Sequence, residues 1–303
     1  MKPATGRRLL KPEVCRLANH AMNDIAATEI DTIRPEPHPK YSLCTLLTDK
    51  AQYADALSSF REAGFTEPDS EFLYIDNTAT NKYDAYAGVN LFLQKARGDY
   101  VILCHQDLVL HADKREKLDR IIDDISELDP NWALLGNAGG TVPGQQAYHL
   151  TEYTGEQKHY LRRGTFPAKT CSLDENFIVV RKSANLGASH DLQGFHLYGT
   201  DLCMIAGILG YSAYVVDFHL WHLGGASTRP AETSGTHATS TFDKTKYNLI
   251  KKYQRVCSPR FVQTTCTIFY VSASRLKNFL FNNKHVFSIQ KRLNSLRNKS
   301  RTE

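Results

Sequence analysis

Residues 100–107 read Tyr-Val-Ile-Leu-Cys-His-Gln-Asp, an apolar run followed at once by three polar side chains. A short apolar run of this kind is typical of a strand that is buried on both faces. It comes after Gly98, where a helical pattern over 83–96 stops. The stretch therefore predicts a helix, a turn and a buried strand, in that order.

The same alternation occurs earlier in the chain. An apolar run over 41–47 leads into a helical pattern over 51–63, and a second apolar run over 72–75 leads into the helical pattern over 83–96. Strands that alternate with helices of this length form βαβ units. The sequence therefore predicts an α/β fold in which helices flank a mostly parallel sheet.

Polar side chains follow each of the three predicted strands. Thr48 and Asp49 follow the first, Asp76 follows the second, and the third ends in the triplet 105–107. Taken singly, each of these groups is also explained by a turn, because turns commonly contain such polar residues. Open α/β sheets, however, bind ligands outside the carboxyl ends of their strands, and three polar groups at one edge favour a binding site there.

Composition and charge narrow the class of protein. The chain has 303 residues, 42% hydrophobic and 23% charged, which excludes a disordered or fibrous protein. The net charge of +5 is concentrated in residues 271–303, which carry eight basic residues and one acidic residue, so the other 270 residues carry −2. A basic segment of this kind suits an anionic partner, but no nucleic-acid motif accompanies it, and we expect no nucleic-acid partner.

The cysteines and the apolar segments indicate the compartment. Seven cysteines occur without a CxxC pair, and an odd, scattered set of this kind indicates reduced thiols rather than disulfides or a zinc knuckle. We see neither a secretory signal nor an apolar stretch long enough to span a membrane. We therefore expect the protein in the cytoplasm, or peripherally on the inner face of the cell membrane.

The order of these motifs resembles the nucleotide-binding half of a GT-A-fold glycosyltransferase of the broad family 2 kind. The apolar first strand, a second strand that ends in Asp76, Asn90 and the phrase over 96–107 stand in the order that this family shows. The likeness extends from residue 41 to about residue 227. It implies a GT-A (Rossmann-like) fold.

One motif departs from the family pattern. The third strand of those enzymes ends in a DxD motif, whereas this chain has His105, Gln106 and Asp107. The departure resembles a bacterial subgroup that carries an HQD-type motif. We therefore expect an inverting, metal-dependent enzyme that moves a sugar from a nucleotide-sugar donor to a glycan or lipid-linked glycan in bacterial surface polysaccharide synthesis.

The resemblance assigns a metal site and a donor site. Asp107 would hold Mn²⁺ or Mg²⁺, which neutralises the charge of the donor's diphosphate. The second ligand implied by the resemblance is a histidine after the strand over 213–217, where we favour His222 and keep His219 as the alternative. The residues expected to line the donor site are Thr48, Asp49, Asp76, Asn90, His105, Gln106 and Asp107.

Inverting transfer also needs a base that takes the proton of the acceptor hydroxyl. The resemblance assigns this role to Asp201, which opens a predicted helix, although Thr200 stands where the family commonly has Glu. An Asp at a helix N-terminus is also explained by the helix dipole. We expect Asp174, Glu175 and Asp191 to orient the acceptor.

The resemblance also divides the chain. Residues 1–38 form an N-terminal extension. Residues 39–255 form the GT-A-like domain, which has a nucleotide-binding half at 39–140 and an acceptor half at 141–255. Residues 256–303 form a basic, helical, amphipathic C-terminal arm. Such an arm either lies on an anionic bilayer or packs on the domain.

Two other functions stay open at this point. A non-catalytic carbohydrate-binding or scaffold protein could use the same fold, because the HQD triplet is a reduced form of DxD. A nucleotidyltransferase would need a Gly-rich, basic first loop, which residues 47–50 do not provide.

Overall fold

A computed structural model of the protein describes residues 38–154, 156–224 and 236–282. Residues 1–37 of the predicted extension over 1–38 and the part of the predicted arm beyond Asn282 lie outside these ranges. The described helices are α1 (Lys50–Glu62), α2 (Ala85–Lys95), α3 (Arg115–Leu128), α4 (Tyr198–Ile208), α5 (Thr236–Tyr253) and α6 (Arg275–Asn282). The described strands are β1 (Tyr41–Leu47), β2 (Ser70–Asp76), β3 (Tyr100–Cys104), β4 (Leu108–Val109), β5 (Trp132–Gly136), β6 (Ala138–Gly140), β7 (Gln146–Thr154), β8 (Gln157–Arg163), β9 (Ala168–Thr170), β10 (Ser172–Leu173), β11 (Phe177–Arg181), β12 (Ser212–Val215), β13 (Leu220–His222), β14 (Arg260–Gln263) and β15 (Ile268–Val271).

The main sheet has the strand order β2-β1-β3-β11-β5-β12-β9. Strand β1 lies parallel to β2 and β3, as the βαβ pattern predicts, and the α/β fold class is confirmed. The sheet as a whole is mixed rather than mostly parallel, because β11 runs antiparallel to both neighbours and β9 runs antiparallel to β12. Strands β9, β10 and β11 follow one another without an intervening helix. Two strands that are consecutive in the chain need a crossover connection to pair in parallel, and no such connection constrains these three strands.

Helices cover both faces of this sheet. Neighbouring residues of β3 point to opposite faces, so Val101 packs in one apolar cluster and Ile102 in the other. Phe92 of α2 and Leu202 of α4 share the cluster of Val101, while Ile122 of α3 shares that of Ile102. The central strands are therefore buried on both sides, which holds their carboxyl ends at fixed positions.

A second sheet has the order β10-β6-β7-β13-β4, with β8 paired to β7. Strand β4 begins at Leu108, directly after the HQD triplet, and it pairs with the last residues of β13. The register sets His222 opposite Leu108 and Trp221 opposite Val109. This pairing brings the chain near residue 222 to the carboxyl end of β3.

The C-terminal part of the described chain differs from the predicted helical arm. Residues 260–271 form a β-hairpin, and the side chain of Gln146 donates to the carbonyl oxygens of Thr264 (2.9 Å) and Thr265 (2.6 Å) in its loop. A Cβ on Gly140 would overlap the carbonyl oxygen of Gln263, so the hairpin lies directly on the glycine backbone of β6. Cross-chain contacts of this kind leave no periodic signal in a sequence.

Helix α6 follows the hairpin and lies within the segment 256–303 that is predicted to be helical. Its Leu276 and Phe279 are each 67% exposed. Within the ranges that the structure covers, no helix combines the length and the apolar character needed to cross a membrane.

Candidate functional site

Three side chains meet where β3 ends and β13 ends. One ligand atom each from His105, Asp107 and His222 can be chosen so that all lie within 4.8 Å of one another. His105 and Asp107 follow β3 directly, and His222 reaches them because the backbone N–H of Leu223 donates to the carbonyl oxygen of Asp107 over 2.8 Å. We call these three residues the HDH cluster.

Charge and burial couple the members of the cluster. Nε2 of His222 lies 3.4 Å from Oδ2 of Asp107, and the rings of His105 and His222 are 5.8 Å apart. Burial by itself would raise the pKa of Asp107, but the hydrogen bond from His222 and the nearby imidazoles lower it below its ordinary value. Burial by itself would lower the pKa of His222, but the same hydrogen bond and the Asp107 charge raise it.

A glycine lets the backbone approach the cluster. Gly224 follows His222 by two residues, and a Cβ there would overlap Oδ2 of Asp107. Any larger residue at 224 would therefore displace the carboxylate. The glycine pair at 224–225 is the sequence signal for this contact.

The cluster fits a divalent cation. Two imidazole nitrogens and one carboxylate oxygen provide a donor set for a divalent cation, and three protein ligands leave coordination positions for a substrate. The structure brings Asp107 and His222 together, which are the two residues assigned to the metal, and adds His105, which was assigned only to the donor. His219 lies outside the cluster, because its Nε2 is 2.9 Å from Oγ1 of Thr151 and its ring stacks on His149 at 4.4 Å.

Gln106 links two loops at this edge of the sheet. Its Oε1 accepts from the backbone N–H groups of Thr48 (2.5 Å) and Asp49 (2.9 Å). Its Nε2 donates to Oγ1 of Thr48 (3.1 Å) and to Oε1 of Gln52 (3.0 Å). The middle residue of the triplet therefore positions the loop between β1 and α1.

Two carboxylates of the predicted donor site have local partners. Asp49 caps α1, since its side chain accepts from the backbone N–H groups of Ala51 and Gln52. Asp76, at the end of β2, accepts two hydrogen bonds from Thr78 and lies 3.2 Å from Nζ of Lys50. The Thr78 hydrogen bonds and the Lys50 pairing lower the pKa of Asp76 to about 2, so this carboxylate is charged at neutral pH.

Two further predicted residues are held by contacts of their own. Asn90 exchanges two hydrogen bonds of 2.8 Å with the backbone of Ala188, which ties α2 to the loop that precedes α4. Asp191 pairs with Lys252 of α5 at 2.5 Å. Neither of them belongs to the HDH cluster.

Asp201 lies inside the protein. Its carboxylate accepts from the backbone N–H and the hydroxyl of Ser189, each at 2.7 Å, and from the hydroxyl of Tyr253 at 2.6 Å. The residue has no exposed surface. Burial raises its pKa, although these hydrogen bonds lower it in part.

A cavity of about 350 Å³ opens beside the N-terminus of α4. Glu175 lines this cavity, in the turn between β10 and β11, and its Oε1 accepts from the backbone N–H of Gly199 over 3.3 Å. Burial, together with the charge of the adjacent Asp174, raises the pKa of Glu175 to about 8. The residues that line the cavity are Ser172, Leu173, Glu175, His196, Leu197, Thr200, Phe242, Thr264, Thr265 and Cys266.

The hairpin loop supplies one wall of this cavity, a contribution that the sequence did not predict. Thr264, Thr265 and Cys266 lie about 90 residues after Glu175 in the chain. Oγ1 of Thr265 donates to Oδ2 of Asp174 over 2.5 Å, and Oδ1 of the same carboxylate accepts from the backbone N–H of Asn176 over 3.1 Å. Both oxygens of Asp174 therefore have protein donors.

Solved structures that are similar to this chain include a mannosyltransferase. The mannosyltransferase PcManGT from Pyrobaculum calidifontis, in complex with GDP-Man and Mn²⁺, is 13% identical with a TM-score of 0.49, over 80% of this chain and 72% of that one. TarS of S. aureus is 14% identical with a TM-score of 0.42, over 61% of this chain and 60% of that one. GalNAc-T7, with UDP, GalNAc and Mn²⁺, is 10% identical with a TM-score of 0.42, over 71% of this chain and 53% of that one.

The sequence comparisons identify a relative. No protein-family model matches the chain. It is 35% identical over 221 residues to the protein named ATP synthase subunits region ORF 6 of Fuscovulum blasticum, a match that covers 71% of this chain and 84% of that protein. The chain therefore belongs to the same family as ATP synthase subunits region ORF 6.

Proposed function

We propose that the protein is a metal-dependent glycosyltransferase that moves a sugar from a nucleotide-sugar donor to a glycan or lipid-linked glycan. The HDH cluster carries this proposal, because it gathers a carboxylate and two imidazoles at the carboxyl end of β3. In an open α/β sheet this edge is the place for a ligand. The motif resemblance over 41–107 points to the same reaction.

The residues around the cluster support a donor site. When bound, Mn²⁺ or Mg²⁺ supplies Lewis-acid neutralisation of the two phosphates of the donor. Asp107, His105 and His222 would hold the cation, and Gln106 fixes the loop after β1 against them. Asp76 offers a charged carboxylate at the end of β2, which lies next to β1, and this carboxylate is suited to accept hydrogen bonds from a ribose or a base.

Inversion and a role in bacterial surface polysaccharide synthesis belong to the same proposal. Both rest on the resemblance of the HQD triplet to a bacterial subgroup of glycosyltransferase-like proteins. Inversion requires a single in-line displacement at the anomeric carbon, with a base on the acceptor side. The cavity beside α4 provides space for an acceptor on that side.

The experiment measures nucleotide release from GDP-mannose and a panel of UDP-hexoses with Mn²⁺ present. Asp107→Asn should reduce release by more than roughly 100-fold, since several kcal/mol of charge stabilisation would be lost. Asp69→Asn is the control, because the Asp69 side chain is 66% exposed and lies outside the cluster. Donor binding without release would instead favour a non-catalytic protein, and an equal rate in both variants would contradict the metal site.

We also propose peripheral binding to an anionic membrane. Leu276 and Phe279 of α6 are exposed on a helix that begins with Arg275 and includes Lys277, and an exposed apolar face with basic neighbours suits an anionic bilayer surface. Leu276→Ser with Phe279→Ser should reduce binding to liposomes that contain phosphatidylglycerol. Unchanged binding, or equal binding to uncharged liposomes, would contradict this proposal.

A further inference from the structure

The position of Glu175 makes it different from the other acidic residues near α4. It stands in the turn between β10 and β11, where the hydroxyl of Tyr198 donates to its carbonyl oxygen over 2.9 Å. Its carboxylate accepts from backbone N–H groups, those of Gly199 (3.3 Å), Leu197 and Glu175 itself, and from no side chain among the described contacts. The rest of its hydrogen-bonding capacity is available to a ligand in the cavity that it lines.

The turn that carries Glu175 is connected to the HDH cluster. The backbone N–H of His105 donates to the carbonyl oxygen of Asn176, the next residue after Glu175, over 3.0 Å. The charge of Asp174, on the other side of Glu175, contributes to the raised pKa of His222. A donor held by the cluster and an acceptor held in the cavity would therefore lie on either side of one short turn.

The other carboxylates near α4 accept hydrogen bonds from side chains of the protein, unlike Glu175. The carboxylate of Asp201 accepts hydrogen bonds from Ser189 and Tyr253, and Asp201 does not line the cavity. Both oxygens of Asp174 accept from protein donors, and Asp191 pairs with Lys252 on the protein surface. Among the described residues that line the cavity, Glu175 is the one that carries a carboxylate.

We propose that Glu175, and not Asp201, is the residue that takes the proton from the acceptor hydroxyl, an inference that rests on the proposed glycosyl transfer. The O–H proton moves to the Glu175 carboxylate while the acceptor oxygen forms its bond to the anomeric carbon. The bond from that carbon to the phosphate oxygen breaks, and its electron pair leaves with the nucleoside diphosphate. The protonated Glu175 then returns its proton to solvent.

The surroundings of Glu175 suit this role. Burial and the Asp174 charge hold its pKa at about 8, near the working pH, where a carboxylate is a stronger base than an ordinary Glu. Among the described residues, the other titratable groups that face the cavity or interact with Glu175 are His196, Tyr198, Cys266, Tyr86 and Cys203. Because Glu175 must be deprotonated to act, the rate should rise with pH up to about 8.

The test compares Glu175→Gln and Glu175→Asp with wild type in the full chain, using Mn²⁺, GDP-mannose and UDP-hexoses, with water taking the place of the acceptor hydroxyl. Glu175→Gln should lower nucleotide release by roughly 100-fold or more and abolish its rise with pH, while Mn²⁺ affinity stays unchanged. Glu175→Asp should restore part of the rate. The control is Glu127→Gln on the exposed face of α3, which should match wild type. A Glu175→Gln variant that keeps the wild-type rate would overturn the inference.

A second measurement, of the Glu175 pKa, tests the inference without requiring catalytic turnover. The ¹⁵N resonance of the Gly199 amide, which donates to Glu175, should titrate with a midpoint near 8 in wild type and lose that transition in Glu175→Gln. A midpoint near the ordinary Glu value of about 4.3 would overturn the role of Glu175. Failure of wild type to release nucleotide from any donor, by contrast, would count against the glycosyltransferase itself.

Discussion

The hydroxyl of Tyr253 donates to Oδ1 of Asp201 over 2.6 Å, and this contact joins the end of α5 to the first turn of α4. The other oxygen of Asp201 accepts from the backbone of Ser189. A carboxylate with no exposed surface is stable only when its oxygens have donors. The arrangement therefore makes Asp201 a structural connection between α4, α5 and the loop at 189.

Removing the Tyr253 hydroxyl should destabilise the fold. In Tyr253→Phe the buried carboxylate loses one donor, and we expect the free energy of unfolding to fall by about 1–3 kcal/mol. Urea denaturation measures this change. Tyr247→Phe on the same helix is the control, because Tyr247 is 64% exposed, and it should leave the midpoint unchanged. Equal midpoints for all three proteins would show that the contact contributes nothing to stability.

Gly224 should be required for metal binding. A Cβ in Gly224→Ala would overlap Oδ2 of Asp107, and the carboxylate would rotate away from His222. We expect the affinity for Mn²⁺, measured by titration with electron paramagnetic resonance, to fall by roughly 10–100-fold. Gly207→Ala is the matched control, since a Cβ at that position on α4 meets no atom within 4 Å. Tight Mn²⁺ binding by Gly224→Ala would mean that Asp107 is not a ligand.

Gln106 should hold the loop between β1 and α1. In Gln106→Ala the amides of Thr48 and Asp49 lose their shared acceptor, so their hydrogen exchange should accelerate, by about tenfold for each 1.4 kcal/mol of lost protection. Gln52→Ala removes a single bond to Gln106 and leaves both amide contacts in place, so it should change exchange little. The prediction fails if exchange at these two amides is the same in all three proteins.

Much of the fold follows from local patterns in the sequence. The parallel core of β1, β2 and β3 could be predicted because each strand contains an apolar run and a helix follows both β1 and β2. The strand directions in the rest of the main sheet could not be predicted, because β9, β10 and β11 are short and lack intervening helices. Their direction depends on pairing with strands that are distant in the chain.

Part of the candidate site could likewise be predicted from the sequence, and part could not. Asp107 and His222 were assigned from motif order, and the β4–β13 register brings them together. A sequence does not reveal which carboxylates are enclosed by protein donors. Asp201 is in the first turn of α4 and Glu175 in the turn between β10 and β11, and the structure shows that side chains enclose Asp201 while Glu175 lines a cavity. Likewise, Gly140 gives room to the carbonyl oxygen of Gln263, a contact between segments more than 120 residues apart.

The raised pKa of Glu175 has a consequence for stability that needs no substrate. Between the ordinary Glu pKa and about 8, the folded protein keeps the Glu175 proton while the unfolded chain has released it. The folded state binds more protons over this range, so this group makes the free energy of unfolding fall as pH rises. The slope cannot exceed about 1.4 kcal/mol per pH unit for one proton.

Glu175→Gln should remove that contribution. We expect the difference in unfolding free energy between the variant and wild type to increase in favour of the variant from pH 5 to pH 8, and to become constant above it. Urea denaturation across this range measures the difference, and Glu127→Gln, whose side chain is exposed, should run parallel to wild type throughout. A constant difference between Glu175→Gln and wild type at every pH would mean that Glu175 is ionised in the folded protein from about pH 5 upward. The cavity would then hold an ordinary carboxylate, too weak a base to favour Glu175 as the proton acceptor.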